Sequence, residues 1–364
     1  MTPKNCVVLG AGLMGRLMAW GLLQAGHRVQ MYEALGPDAQ GAAARVAASM
    51  LAPLAESAIT ELPVVRMGQY SLNRWPALLA SLPAPVFFQR EGTVIVWHRQ
   101  DASDAKRFAD KLHHTREHLP ELPAPHNLQA AELADLEPSL AEKFHQGLWL
   151  PQEGQLDNRQ LLDALLLGLT QAGAELHWHS PHTPDDFPNA DAVLDCRGLG
   201  AKPQWTGLRG VRGEVLRLHA PEVHISRPVR LIHPRYPLYI APKENGVYVV
   251  GATELETDDV SPASVRSTLE LLSAVYSVDS GFAEARILEI NTQARPTLPD
   301  NLPAIHTPRP GVWQINGLYR HGFLIAPAML DAALALLQGE ATLAQQFGLL
   351  KGAAQQPPAL RGHA

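Results

Sequence analysis

VVLGAGLMGRLMAWGLLQAGHRVQMYE, residues 7–33, runs without a break through a strand, a glycine turn, a helix, a second strand and an acidic tip. Cys6 to Leu9 is apolar and carries no charge, the pattern of a buried parallel strand. Gly10, Gly12 and Gly15 follow as G-x-G-x-x-G, with Leu13 and Met14 opening the helix behind the turn. The first glycine allows the tight turn, the second lets backbone approach a pyrophosphate, and the third lets the helix lie close to the strand. Leu17, Met18, Ala19, Leu22 and Leu23 give that helix an apolar face, Gly26 stops it, and Val29 to Tyr32 form the next strand. Glu33 then stands where a carboxylate accepts hydrogen bonds from an adenosine ribose. An acid here favours a free 2′-hydroxyl, hence FAD or NAD over NADP.

The 364 residues suffice for two domains with a large core. A formal net charge of −6 and the lack of a dense Lys/Arg run argue against general nucleic-acid binding and point to a small-molecule partner. Both cysteines, Cys6 and Cys196, sit in apolar strand-like runs and are expected to be buried thiols. The chain enters its first strand at once and shows no uninterrupted apolar run of membrane-spanning length, so a cytoplasmic location is expected. The 16 histidines include no H-E-x-x-H or comparable frame, and no metal site is expected. Oligomeric state stays open, a homo-oligomer included.

Outward from the fingerprint, Gly41 to Glu56 is rich in small residues, read either as a helix start packed against a bulky ligand or as a close-packed Ala helix. Leu62 to Leu82 reads as a helix, Val86 to Trp97 as two strands about Glu91-Gly92, Asp101 to Leu119 as a polar helix, and Ala130 to Asp135 as a short helix. A helix ending at Gly173 carries Leu161, Leu162, Leu165, Leu166 and Leu169, and Ala192 to Gly200 is a strand entering a glycine turn. Gly213 to Leu218, Leu238 to Pro242 and Tyr248 to Gly251 read as antiparallel strands, with a turn at Asn245-Gly246. Ser261 to Tyr276 is expected to be helical, Ile287 to Ala294 and Val312 to Asn316 to be strands, and Pro327 to Leu337 to be the terminal helix. The fold class is α/β: a Rossmann-like nucleotide-binding domain joined to an α+β second domain with a mixed, largely antiparallel sheet. The expected boundaries are 1–80, 145–212 and 305–350 for the first, 81–144 and 213–304 for the second, and 351–364 for a frayed tail.

Four further motifs recur in fixed order: ASMLAP (Ala48 to Pro53), LYIAPKENGVYVVGAT (Leu238 to Thr253), RPTLPDNLP (Arg295 to Pro303) and GLYRHGFLIAP (Gly317 to Pro327). With the fingerprint, they make the chain resemble the flavin-dependent D-amino-acid oxidase superfamily, most closely glycine oxidases of the thiamine-biosynthesis type. The resemblance implies non-covalent FAD, a flavin domain assembled from separated segments, and oxidation of glycine or a related amine by hydride transfer to flavin N5. An imine results, and oxygen, or another acceptor, takes the electrons. It also implies cofactor contacts from Ala48, Ser49, Met50 and Leu51, from Gly198 and Gly200, and from Arg320, His321, Gly322, Phe323 and Leu324.

Arg320 falls at the family's carboxylate-binding arginine, where a guanidinium clamps a carboxylate with two hydrogen bonds; otherwise it is a surface salt bridge. Arg295 orients substrate or braces a loop, and Tyr239 roofs the substrate or fills the core. Departures from the family pattern bear on substrate: Ser49 for glycine, Arg45 and Val46 for small residues, Leu318 for histidine, and Gln293-Ala294 for Gly-Leu. Glu254 replaces an apolar methionine, and either attracts a second amino group or polar tail or points to solvent. The rival functions are an FAD dehydrogenase passing electrons to a non-oxygen acceptor from a bulkier or N-substituted amino acid, and a flavin-binding subunit or sensor without turnover. A nicotinamide dehydrogenase gives the GLYRHGF segment no use.

Overall fold

A strand as apolar as Asn5–Leu9, with Cys6, Val7, Val8 and Leu9 all buried, needs a strand on each side and cover on both faces. In the computed structural model, which describes residues 3–233 and 238–350, it has parallel neighbours in Ala192–Asp195 and Arg28–Tyr32. The sheet holds six strands in the order Ala304–Arg309, Val312–Asn316, Ala192–Asp195, Asn5–Leu9, Arg28–Tyr32 and Glu175–His177. Its pairs are parallel except the Ala304–Arg309 and Val312–Asn316 hairpin. The helices Leu13–Gln24, Leu62–Ala80, Asn158–Gln171 and Gly322–Leu337 supply the largest apolar core.

A second sheet of eight strands runs Arg286–Thr297, Arg209–His219, Val247–Gly251, Leu238–Pro242, Val229–Ile232, Thr93–Trp97, Gln146–Leu150 and His126–Gln129. It is antiparallel apart from the parallel pair of Val229–Ile232 with Thr93–Trp97. Asn245 and Gly246 both take positive φ, as a tight hairpin turn requires. Met50–Leu51, Gly154–Leu156 and Phe88–Gln89 make a small third sheet. The two strands read about Glu91-Gly92 therefore do not pair with each other, because Phe88–Gln89 joins this third sheet and Thr93–Trp97 the second. The expected tail, 351–364, lies outside the described residues.

Three element boundaries depart from expectation for local reasons. The Ala-rich segment is one turn of helix (Ala43–Val46), a short strand, and another turn (Pro53–Glu56). Ser49 at φ 52° breaks the helical path, and the Ser49 hydroxyl donates to the Leu156 carbonyl at 2.6 Å. The helix expected from Ser261 starts at Val265, since Ser261 closes a turn with Asp259 while the Ser264 hydroxyl caps the Ser267 amide.

The terminal helix begins at Gly322, with Pro327 inside it. A proline here leaves the Phe323 carbonyl without its helical donor, and the indole of the fully buried Trp75 donates to that carbonyl at 3.0 Å. Tyr319–Leu337 is long and apolar enough by composition to cross a membrane, yet Arg320 and Asp331 interrupt it and 72% of its apolar window is buried inside the protein, where it serves as a core helix. Removing Trp75 to Ala from this core would cost about 3–5 kcal/mol.

Candidate active site

One continuous cavity runs from the glycine turn and Glu33 to Tyr239, Arg295 and Arg320. At its first end Gly10 has φ 90°, and a Cβ there would meet the Cys196 carbonyl oxygen at 2.7 Å. A Cβ on Gly15 would lie 1.8 Å from the Gly10 oxygen. Gly15 thus stands behind the cavity wall and sets the distance between helix and turn. Glu33 accepts from the Ala11 amide at 2.6 Å and the Leu35 amide at 2.9 Å, which fixes the acid beside the turn. Arg16, unremarked in the sequence, is fully buried; its Nε donates to the Ala11 carbonyl and its Nη1 to the Leu162 carbonyl, both at 2.7 Å. Burial pushes its guanidinium down to about 10.

Further along, Ala48, Ser49 and Met50 line the cavity, whereas Leu51 points into the core and is fully buried. Lys243, buried and overlooked in the sequence, donates to the Ala48 carbonyl at 2.9 Å, the Leu156 carbonyl at 2.8 Å and the Gln155 side chain at 3.0 Å. Burial lowers its ammonium to about 7, while three acceptors match the three donors of the charged form. Gly198 and Gly200 line the same cavity, and Asn316 donates to the Gly198 carbonyl at 2.9 Å.

Two helix N-termini, those of Leu13–Gln24 and Gly322–Leu337, face this cavity without a side-chain cap or an acid in the first turn. Their free amides, the close backbone at Gly10 and Gly12, and the held carboxylate of Glu33 fit a bound dinucleotide. Gly322, Phe323 and Leu324 form the first turn of the second helix, inside the element that the sequence pattern begins at Pro327.

At the far end charges dominate. Arg320 is mostly buried: its Nη1 donates to Glu254 Oε2 at 2.9 Å and its Nε lies 3.4 Å from Glu56 Oε2. Burial opposes its charge, but these two carboxylates hold the guanidinium above its ordinary value. It is not a surface salt bridge: Glu254 accepts a hydrogen bond from its Nη1, while Glu56 pairs with it by charge at 3.4 Å without a hydrogen bond. Glu254 does not simply point to solvent, as its other oxygen accepts from the Tyr319 hydroxyl. Glu56, a third residue missed in the sequence, is also paired with the buried Arg230. Burial disfavours its anion, yet Arg230, Arg320 and His321 keep its carboxyl well below the carboxylate range. His321 Nδ1 lies 3.4 Å from Glu56, and burial pushes the imidazole down to about 4, hence neutral near pH 7.

Arg295 differs from Arg320. Its guanidinium lines the cavity over Gly213, where a Cβ would meet Nη2 at 2.2 Å, and it donates only to the backbone carbonyls of Arg212 and Thr253, at 3.4 and 3.2 Å. Among the described residues no carboxylate lies within ion-pairing distance of it. Burial lowers its guanidinium. Tyr239 lines the same end, its hydroxyl packed on Gly251, and burial raises the phenol so that it stays protonated.

A family model described as FAD dependent oxidoreductase, DAO, matches residues 5–333. The chain belongs to this family. FAD is accordingly its cofactor. A Rhizobium etli protein named as a thiamine biosynthesis oxidoreductase, ThiO, is 41% identical over 323 residues, covering 89% of this chain and 93% of that one. Glycine oxidase from Bacillus cereus superposes with a TM-score of 0.78 at 19% identity, over 92% of this chain and 94% of that chain. Iminodiacetate oxidase from Chelativorans gives 0.77 at 21% identity, over 92% and 95%. These superpositions agree with the expected two-sheet α/β fold.

Proposed function

We propose that this FAD-dependent oxidoreductase oxidises glycine or a closely related amine bearing a carboxylate, with Arg295 holding that carboxylate. The supporting observation is the contrast between the two arginines: Arg320 is compensated by Glu56 and Glu254, whereas Arg295 faces the cavity with only backbone acceptors. Its planar fork suits a carboxylate held by two hydrogen bonds. When bound, FAD accepts the two electrons of amine oxidation as a hydride, leaving an imine. The chain's residues bind and orient: Arg295 fixes one end of the substrate, and the Tyr239 hydroxyl stands beside it as a neutral donor. Glu56 remains an ion-paired anion and Glu254 is engaged by Arg320 and Tyr319, so neither is assigned as a base. The name of the Rhizobium relative supports a place in thiamine biosynthesis. The proposed division assigns 1–80, 145–212 and 305–350 to the cofactor and 81–144 and 213–304 to the substrate, and the second sheet crosses it, drawing Gln146–Leu150 and the start of Arg209–His219 from the cofactor set.

Anaerobic bleaching of bound flavin against glycine, sarcosine and small D-amino acids tests the reading without regard to the final acceptor. Reduction by a carboxylated amine is expected; a flavin that no amine bleaches would refute it in favour of a non-catalytic flavoprotein. Reoxidation by oxygen against an artificial acceptor separates an oxidase from a dehydrogenase.

A further inference from the structure

We infer that Glu254 acts as a resident carboxylate on Arg320 and so restricts the site to amines with a single carboxylate; this rests on the proposed oxidation of a carboxylated amine. Among the described residues, the charged side chains lining the Tyr239 end are Glu56, Arg230, Glu254, Arg295 and Arg320. Glu56 pairs with Arg230 and Arg320, and Glu254 with Arg320. Two acids thus offset two of three guanidiniums, and the single remaining positive charge resides on Arg295.

The way Glu254 is held matches what a ligand carboxylate would do on the same donors. One oxygen takes Arg320 Nη1 at 2.9 Å and the other takes the Tyr319 hydroxyl. A substrate whose first carboxylate occupies Arg295 would bring a second one to a site already filled by an anion. There it would meet the charge of Glu254 without a free cation to offset it, which is discrimination by repulsion. Glu56 does not share this role: its side chain is 10% exposed and is bound to Arg230 as well, whereas that of Glu254 is 43% exposed and is held from the cavity side alone. Removing the Glu254 charge would therefore free Arg320 without opening a core.

The test uses the full-length FAD-loaded protein and two carboxylates that cannot be oxidised, acetate and malonate, titrated by their perturbation of flavin absorbance. The wild type is expected to bind acetate at least about tenfold more tightly than malonate, the scale of one charge-assisted contact. Glu254→Gln is expected to raise malonate affinity about tenfold while moving acetate by less than about threefold. The same acetate-to-malonate ratio in both proteins would overturn the inference. Anaerobic bleaching by glycine and by iminodiacetate forms the second arm, in which Glu254→Gln should gain with iminodiacetate. Bleaching by glycine with an unchanged malonate ratio refutes the role of Glu254 alone. Failure of every amine to bleach the flavin refutes the substrate reading on which that role depends.

Discussion

At the Glu33 end the cavity wall is mostly backbone: Gly10, Ala11 and Gly12, one helix N-terminus, and one acid, all within residues 7–33. At the Tyr239 end it is side chains, with Glu56, Arg230, Tyr239, Glu254, Arg295 and Arg320 arriving from separate segments. A backbone wall has almost no chemical freedom, because a Cβ at Gly10 or Gly15 would overlap main-chain atoms. A wall of charged side chains can change partners without disturbing the fold. The first end is thus suited to an invariant cofactor, and the second to choosing a substrate.

Breaking the backbone end should have the largest effect. Gly15→Ala should lower FAD affinity at least about a hundredfold, the loss of roughly two hydrogen bonds to charged phosphate, and yield colourless protein with native-like circular dichroism. Retained yellow colour would mean that the turn accommodates a side chain. Arg295→Leu should keep FAD and lower kcat/KM for a carboxylated amine about a hundredfold, read by stopped-flow bleaching.

Arg320→Leu sharpens the contrast at the other end. It leaves Glu56 and Glu254 with less compensation, and should reduce stability to urea by about 2–3 kcal/mol while moving substrate affinity less than Arg295→Leu does. The reverse ranking of the two variants would reassign the substrate carboxylate to Arg320. Glu33→Ala should weaken FAD by about tenfold by calorimetry.

A last expected effect concerns pH. Burial raises the Glu153 carboxyl from 4.5 to about 7, and its Oε2 has no hydrogen-bond partner. The folded protein therefore holds a proton that the unfolded chain releases between those values. This contribution is complete below about pH 4.5 and is lost as pH rises through 7. Glu153→Gln should remove that slope, with a difference of about 3 kcal/mol across the window, measured by paired denaturation at each pH.

Cys6 to Glu33 was legible because strand, turn, helix and acid interact over a few residues, each with its own spacing rule. The helix limits near Gly26 and Gly173 were legible for the same reason: both glycines take positive φ just past a helix end. The start of the terminal helix was not, because proline reads locally as an N-terminus and only Trp75, from another helix, satisfies the carbonyl it exposes. Arg16 and Lys243 look like ordinary surface cations in sequence; burial with carbonyl acceptors drawn from distant segments makes them braces.

By itself the sequence determined the dinucleotide turn, the alternation of helices and strands, and the family likeness carried by its ordered motifs, since each depends on neighbours along the chain. It also supplied Arg295, Arg320 and Glu254 as candidates. Only the tertiary structure decided that Glu56 and Glu254 converge on Arg320 while Arg295 meets only backbone carbonyls. A charge acquires its role from whichever opposite charge the fold brings within a few ångströms, and no spacing in the chain encodes that distance.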